Sequence, residues 1–205
     1  MIIEEVESKF NGKLSVERDI AWGVHIRAGG LTQTGGIVND VWKKTLRVLK
    51  EGKPSINNCL ILGLGGGSVA HELVKLWPWI EIKGVDIDET IVNLGKKYLG
   101  LEKSNVFIVI GDASKFIGKE KKKYDLICVD MYKGEDVPEE FTTEAFIKKV
   151  KKLLTKDGVA VFNRLYGPDD RTLSMEFGRK LDKVFGKTEY VYPQANVMFV
   201  CYNRG

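Results

Sequence analysis

Residues 59–72 read CLILGLGGGSVAHE: a short apolar run, then Gly63, Gly65, Gly66 and Gly67 crowded together, then a helix-like continuation. Glycines let a backbone turn sharply after a strand and let a ligand approach bare N–H groups. Such a run serves a nucleotide, a phosphate, or a tight strand-to-helix turn. No Gly-Lys-Ser/Thr follows, which removes a P-loop, whereas Gly65 to Ala70 also satisfies G-x-G-x-x-A, so a dinucleotide loop stays open at this point.

Working outward, short apolar runs at 59–62, 80–85, 106–110, 126–129 and 159–162 read as buried strands. Helical spacing predicts helices over 68–76, 89–99, a short one near 114–117, then 143–154 and 171–185. Alternation of this kind builds an α/β fold with a mostly parallel sheet covered on both faces, because parallel strands need crossover connections. The runs 189–192 and 197–202 are separated only by PQAN, which leaves no room for a helix and predicts an antiparallel C-terminal strand pair. Upstream, Asn11-Gly12 and Gly29-Gly30 punctuate alternating segments, predicting two or three antiparallel strands. A helix over 37–49 follows and ends at Lys53-Pro54. The chain thus divides into a small N-terminal β segment, 1–35, and one sheet-and-helix unit, 36–205.

The 205 residues, 43% hydrophobic, can bury the core of one domain. No apolar run reaches the roughly 20 residues of a membrane span, and MIIEEVESKF is too acidic for a secretory signal, so no membrane partner and a cytoplasmic location are expected. A net charge of +4 does not call for nucleic acid, and the lysine runs KEKKK (119–123) and KKVKK (148–152) read as solvated faces. Cys59, Cys128 and Cys201 lie apart in apolar stretches, and only His25 and His71 are available, so neither disulfides nor a metal site is expected.

Ligands of open parallel sheets bind beyond the C-terminal strand ends. Those ends carry Gly63 to Ser68, then Asp86 and Asp88, then Gly111-Asp112-Ala113, then Asp130 with the loop MYKGEDVPEEF. A glycine loop with a carboxylate about 20 residues further on, at the next strand end, can hold a ribose diol and reads as an adenosine site.

The stretches LILGLGGGSVAHEL, IKGVDIDETIVNLGKKYLGL, NVFIVIGDASKFI and KYDLICVDMYKGEDVPEEFTTEAFIKKVKKLLTKDGVAVFN resemble the class I S-adenosylmethionine-dependent methyltransferase fold, and within it the spermidine synthase-like group, over about residues 55–165. The resemblance implies a Rossmann-like sheet and a transferase. It also implies that Gly63, Gly65 and Gly67 line the methionine and ribose part of S-adenosylmethionine or its decarboxylated form. Asp86, with Ile87 beside it, would meet the ribose, Asp112 and Ala113 the adenine, and Asp130 would serve both cofactor and catalysis. Gly29-Gly30-Leu31-Thr32-Gln33 resembles the family's segment before its first helix, which implies a substrate role for Gln33; the acidic loop adds Tyr132, Glu135 and Asp136.

The departures are specific. The family's loop has the form G-G-G-D-G-G, whose Asp grips the amine of the decarboxylated cofactor, and the matching position is Gly66. A second carboxylate after the fourth strand is replaced by Lys133, and the helix tyrosine expected after the glutamine is Trp42. These departures favour methyl transfer from intact S-adenosylmethionine to a small amine or a protein side chain. Aminopropyl transfer from the decarboxylated form, and a non-catalytic cofactor-binding module acting as a homodimer, are the alternatives. Attack on a sulfonium needs alignment and a neutral amine, and Asp130 is the candidate to take the proton.

Overall fold

The computed structural model describes residues 1–53, 55–134 and 136–203. The helix-ending role of Pro54 and the substrate role of Glu135 lie outside the described residues. The first 35 residues form an antiparallel sheet in chain order: β1 (Ile2–Ser8), β2 (Gly12–Asp19), β3 (Gly23–Ala28) and β4 (Leu31–Gly35). The fourth strand exceeds the two or three expected because LTQTG carries no alternating apolar signal; backbone pairing with β3 makes it a strand. One face of this sheet, with Leu14, Val16, Ile26 and Ala28, is buried in the same core as helix α1 (Gly36–Gly52).

Strand β5 (Asn58–Leu62) lies inside the second sheet with a parallel neighbour on each side, and its side chains divide between two cores. Cys59 and Ile61 pack with α1, α2 (Ser68–Leu76) and α3 (Glu89–Leu94), while Leu60 and Leu62 pack with α4 (Ala113–Lys119), α5 (Glu144–Lys152) and α6 (Arg171–Phe185). Burial on both sides explains why the strand reads as an unbroken apolar run.

The remaining strands are β6 (Glu81–Asp86), β7 (Val106–Ile110), β8 (Tyr124–Val129), β9 (Leu154–Leu165), β10 (Thr188–Val191) and β11 (Asn196–Tyr202). Their order is β10-β11-β9-β8-β5-β6-β7, parallel from β9 to β7, with β11 antiparallel to both β9 and β10. The expected antiparallel C-terminal pair is present, and the architecture is the Rossmann-like α/β sheet. The chain runs outward from β5 to β7 and returns on the other side of β5 to β8, so loops diverge at the carboxyl ends of β5 and β8.

Two local departures bear on the site. The helix expected over 89–99 is α-helical only to Leu94 and continues as a π-helical turn, Gly95–Leu99. A Cβ on Gly95 would lie 2.4 Å from the Gly66 Cα, so glycine here lets this helix rest on the glycine loop. Strand β9 begins before the expected 159 because its pairing with β8 is interrupted between Tyr124 and Leu126 and resumes on both sides.

Candidate active site

A cleft of about 320 Å³ opens at the carboxyl ends of β5, β6 and β8. Gly63 makes it possible: at φ 84°, a Cβ would stand 2.0 Å from the Asp130 carbonyl oxygen, so only glycine lets these strand ends converge. The Gly63 and Leu64 N–H groups both donate to the Val85 carbonyl, at 2.9 and 3.1 Å. The next loop residue donates to a carboxylate, Gly65 N–H to Asp86 Oδ2 at 2.7 Å, and Asp88 N–H holds Oδ1 at 2.9 Å. Burial pushes the Asp86 carboxyl up, and these two backbone donors oppose it. Two of about four lone-pair sites are taken, leaving acceptors for hydroxyl groups.

Asp112 is the N-cap of α4, its Oδ1 accepting from Ser114 and Lys115 N–H at 2.8 and 3.2 Å. It lines the cleft together with Ala113 and the partly exposed Ile87. Gly63, Gly65, Asp86, Ile87, Asp112, Ala113 and Asp130 therefore meet around one space. Gly67 does not line it. At φ 97° it is the N-cap of α2, and a Cβ there would meet Leu101.

Asp130 follows β8 and is gripped by side chains from two elements, one of them backed by a third. Trp42 Nε1 of α1 donates to Oδ2 at 2.7 Å, and Asn163 Nδ2 of β9 donates to Oδ1 at 2.8 Å. Asn163 Oδ1 in turn accepts from Asn196 Nδ2 of β11 at 2.8 Å. Burial pushes the Asp130 carboxyl up, against the Asn163 and Trp42 hydrogen bonds and the nearby Arg164 charge. Asp130 also borders an adjoining cavity of about 260 Å³, walled by Val38, Val41 and Leu165 and reached by Gln33, Tyr132 and Asn163.

The loop after β8 packs onto these walls. Gln33 Nε2 donates to the Gly134 carbonyl at 2.9 Å, and the Tyr132 hydroxyl accepts from Leu165 N–H at 2.8 Å. Burial pushes the Tyr132 phenol up. Asp136, expected to meet substrate, pairs with Lys133 in a tight turn and lines a different cavity, together with Tyr132, Arg164 and Asp170. Lys133 and Glu140 do line the cleft.

Several contributors were not legible beforehand. Phe10 and Asn11, in the turn between β1 and β2, line the cleft. They are held there because Ser8 Oγ and Asn11 Nδ2 both donate to the buried Asp88 Oδ2, at 2.5 and 2.6 Å. Asn11-Gly12 marks the turn in the sequence, but nothing there says which strand end it covers. Trp42 was noted only for lacking a phenol; its indole N–H reaches Asp130 instead.

Gly66 needs a different account from the one its loop position suggested. It does not line the cleft, and a Cβ there would stand 2.6 Å from Thr34 Cγ2 and 2.9 Å from Leu99 Cδ1. Its lack of a side chain follows from close packing of β4 and the π-helical turn, and it is silent about the donor's amine.

The profile of the spermine/spermidine synthase domain matches residues 46–197. A polyamine aminopropyltransferase of Vibrio vulnificus is 35% identical over 134 residues, covering 61% of this chain and 45% of that protein. One from Clostridium botulinum is 36% identical over 113 residues, 53% of this chain and 40% of that protein. The chain spans less than half the length of these relatives. Spermidine synthase from Thermotoga maritima superposes with a TM-score of 0.83 at 22% identity, over 100% of this chain and 73% of that one. Human methyltransferase-like protein 13 gives 0.63 at 22% identity, with 80% of each chain covered. These two likenesses establish the shared fold. The preference for methyl transfer is overturned, because the matching profile and both of these sequence relatives carry synthase or aminopropyltransferase names. The chain belongs to the spermine/spermidine synthase domain family.

Proposed function

We propose that this chain transfers an aminopropyl group from decarboxylated S-adenosylmethionine to an amine acceptor. The observation that carries the reading is that Asp130 borders two adjoining cavities, one beside Asp86 and the glycine loop and one walled by α1, β9 and β4. A donor nucleoside and an acceptor amine in these two spaces meet at that carboxylate. The named activity of the sequence relatives agrees.

The charge of the first cleft fits this donor. Its described lining includes Asp86, Asp112, Asp130 and Glu140 against Lys133. Decarboxylated S-adenosylmethionine carries a sulfonium and an ammonium and no carboxylate, so an acidic cleft favours it over the intact form. Asp86 would accept from the ribose hydroxyls, Ile87 would lie along the adenine, and Asp112 with Ala113 would border it.

The reaction is a displacement at carbon. The neutral amine nitrogen forms a bond to the aminopropyl carbon next to sulfur, the C–S bond breaks with its electron pair going to sulfur, and 5′-methylthioadenosine leaves. The acceptor nitrogen sheds a proton, and Asp130, its carboxyl raised by burial, is the group that takes or relays it. Gln33 and Tyr132 would border the acceptor. The walls of the two cavities would hold donor and acceptor in line for this displacement.

Incubating the purified chain with decarboxylated S-adenosylmethionine and a panel of amines, with products read by mass spectrometry, tests this. Expected products are 5′-methylthioadenosine and an amine heavier by one aminopropyl group. Binding of the donor without turnover on any amine would instead favour a non-catalytic cofactor-binding module.

A further inference from the structure

We propose that Asn196, acting through Asn163, is a positioning residue for Asp130, and that together with Trp42 it forms a neutral clamp holding this carboxylate with its free lone pairs toward the acceptor cavity. This rests on the proposed role of Asp130 and adds to it how that residue is held.

The geometry restricts each group to one role. An indole N–H can only donate, so Trp42 claims one lone pair of Oδ2. An asparagine amide can face either way, but Asn163 Oδ1 accepts from Asn196 Nδ2, which turns its NH₂ toward Asp130 Oδ1. Without Asn196, the Asn163 amide is free to flip once Asp130 is protonated and to accept from its O–H, which favours the neutral acid. Trp42 is 0% and Asn163 5% exposed, while Asn196 is half-buried on the wall of the adjoining cavity.

Neutral donors suit a group that must exchange a proton. A lysine or arginine paired directly to Asp130 would depress its proton affinity strongly, whereas amide and indole donors orient it and leave burial in control. The charged and titratable groups facing it are Arg164 on β9, Tyr132 in the following loop and Cys128 on β8. Across the cleft stand Asp86, Asp112, Lys133 and Glu140.

The Trp42 indole N–H gives a readout that needs no turnover. Its NMR resonance, assigned with Trp42→Phe, should move with pH as Asp130 ionises. Removing a donor to the carboxylate disfavours the charged form, so Asn163→Leu should raise the midpoint by about one pH unit or more. Asn196→Ala should raise it in the same direction by less, and as a more peripheral change it carries the test if Asn163→Leu fails to fold. Unchanged midpoints in folded variants would overturn the clamp, as would an indole signal that ignores pH. Because the measurement is made without substrate, a failed clamp and a failed aminopropyl transfer are told apart.

Discussion

The ends of β6 and β8 each present a buried-side carboxylate to the same cleft, yet they hold it by different means. Asp86 is fixed by backbone N–H groups of Gly65 and Asp88, which any sequence with this loop geometry would provide. Asp130 is fixed by side chains of Trp42 and Asn163, brought from α1 and β9. Burial pushes both carboxyls up. The contrast sets the carboxylate proposed to bind the donor, held by the fold's own backbone, apart from the one proposed to react, held by replaceable side chains.

Substitutions should keep those two roles apart. Asp130→Asn is expected to lower kcat by about 10²- to 10⁴-fold, the range for loss of a proton-transfer group, while calorimetric affinity for 5′-methylthioadenosine stays within a few-fold. A parallel loss of affinity would merge the two roles. Gly63→Ala should break the arrangement itself, because its Cβ meets the Asp130 backbone at a positive φ. A cost of roughly 3 kcal/mol or more is expected in chemical denaturation.

Asp86→Asn should reverse the Asp130 pattern, weakening 5′-methylthioadenosine by about 10- to 100-fold through loss of a charged acceptor, with kcat at saturating donor less affected. The pH dependence sharpens the difference further. A raised Asp130 carboxyl places the acid limb of kcat/KM above the ordinary carboxylate range, with activity rising as pH rises through it. Stability should run the opposite way. The folded chain holds protons on Asp86 and Asp130 more tightly than the unfolded chain, so their contribution is present at low pH and is lost as pH rises through the raised values. The smallest effect is expected at the periphery: Ser8→Ala removes a donor to Asp88 and the acceptor for Phe10 and Asn11 N–H, and should cost about 1–2 kcal/mol in thermal or chemical unfolding.

The sheet was legible because β5, β8 and β9 are buried on both faces and leave continuous apolar runs between helical periods, and the edge strand β7 keeps an apolar run although Phe107 and Ile110 are exposed. The strand-end rule then brought Gly63, Asp86, Asp112 and Asp130 together from sequence order alone. β4 was not legible, since its residues pair through backbone without a hydrophobic alternation. Gly66 was misread because a glycine's place in a loop motif does not reveal which way a Cβ would point; here it points at Thr34 and Leu99. The Trp42–Asp130 contact joins positions 88 residues apart and depends on how α1 crosses β8, information no local pattern contains. Asp136 sat in an acidic loop that looked uniform, but the turn with Lys133 sends it to a different cavity.

The grip of Ser8 and Asn11 on Asp88 ties the turn that lines the cleft to the end of the first strand. A nucleoside lodged against Phe10 and Asn11, as proposed, should favour the clasped form, and mass action would then protect a hydrogen bond that spans 80 residues of chain. Amide exchange in β1 should accordingly slow as 5′-methylthioadenosine is added, and an unchanged rate would separate the strand from the cleft.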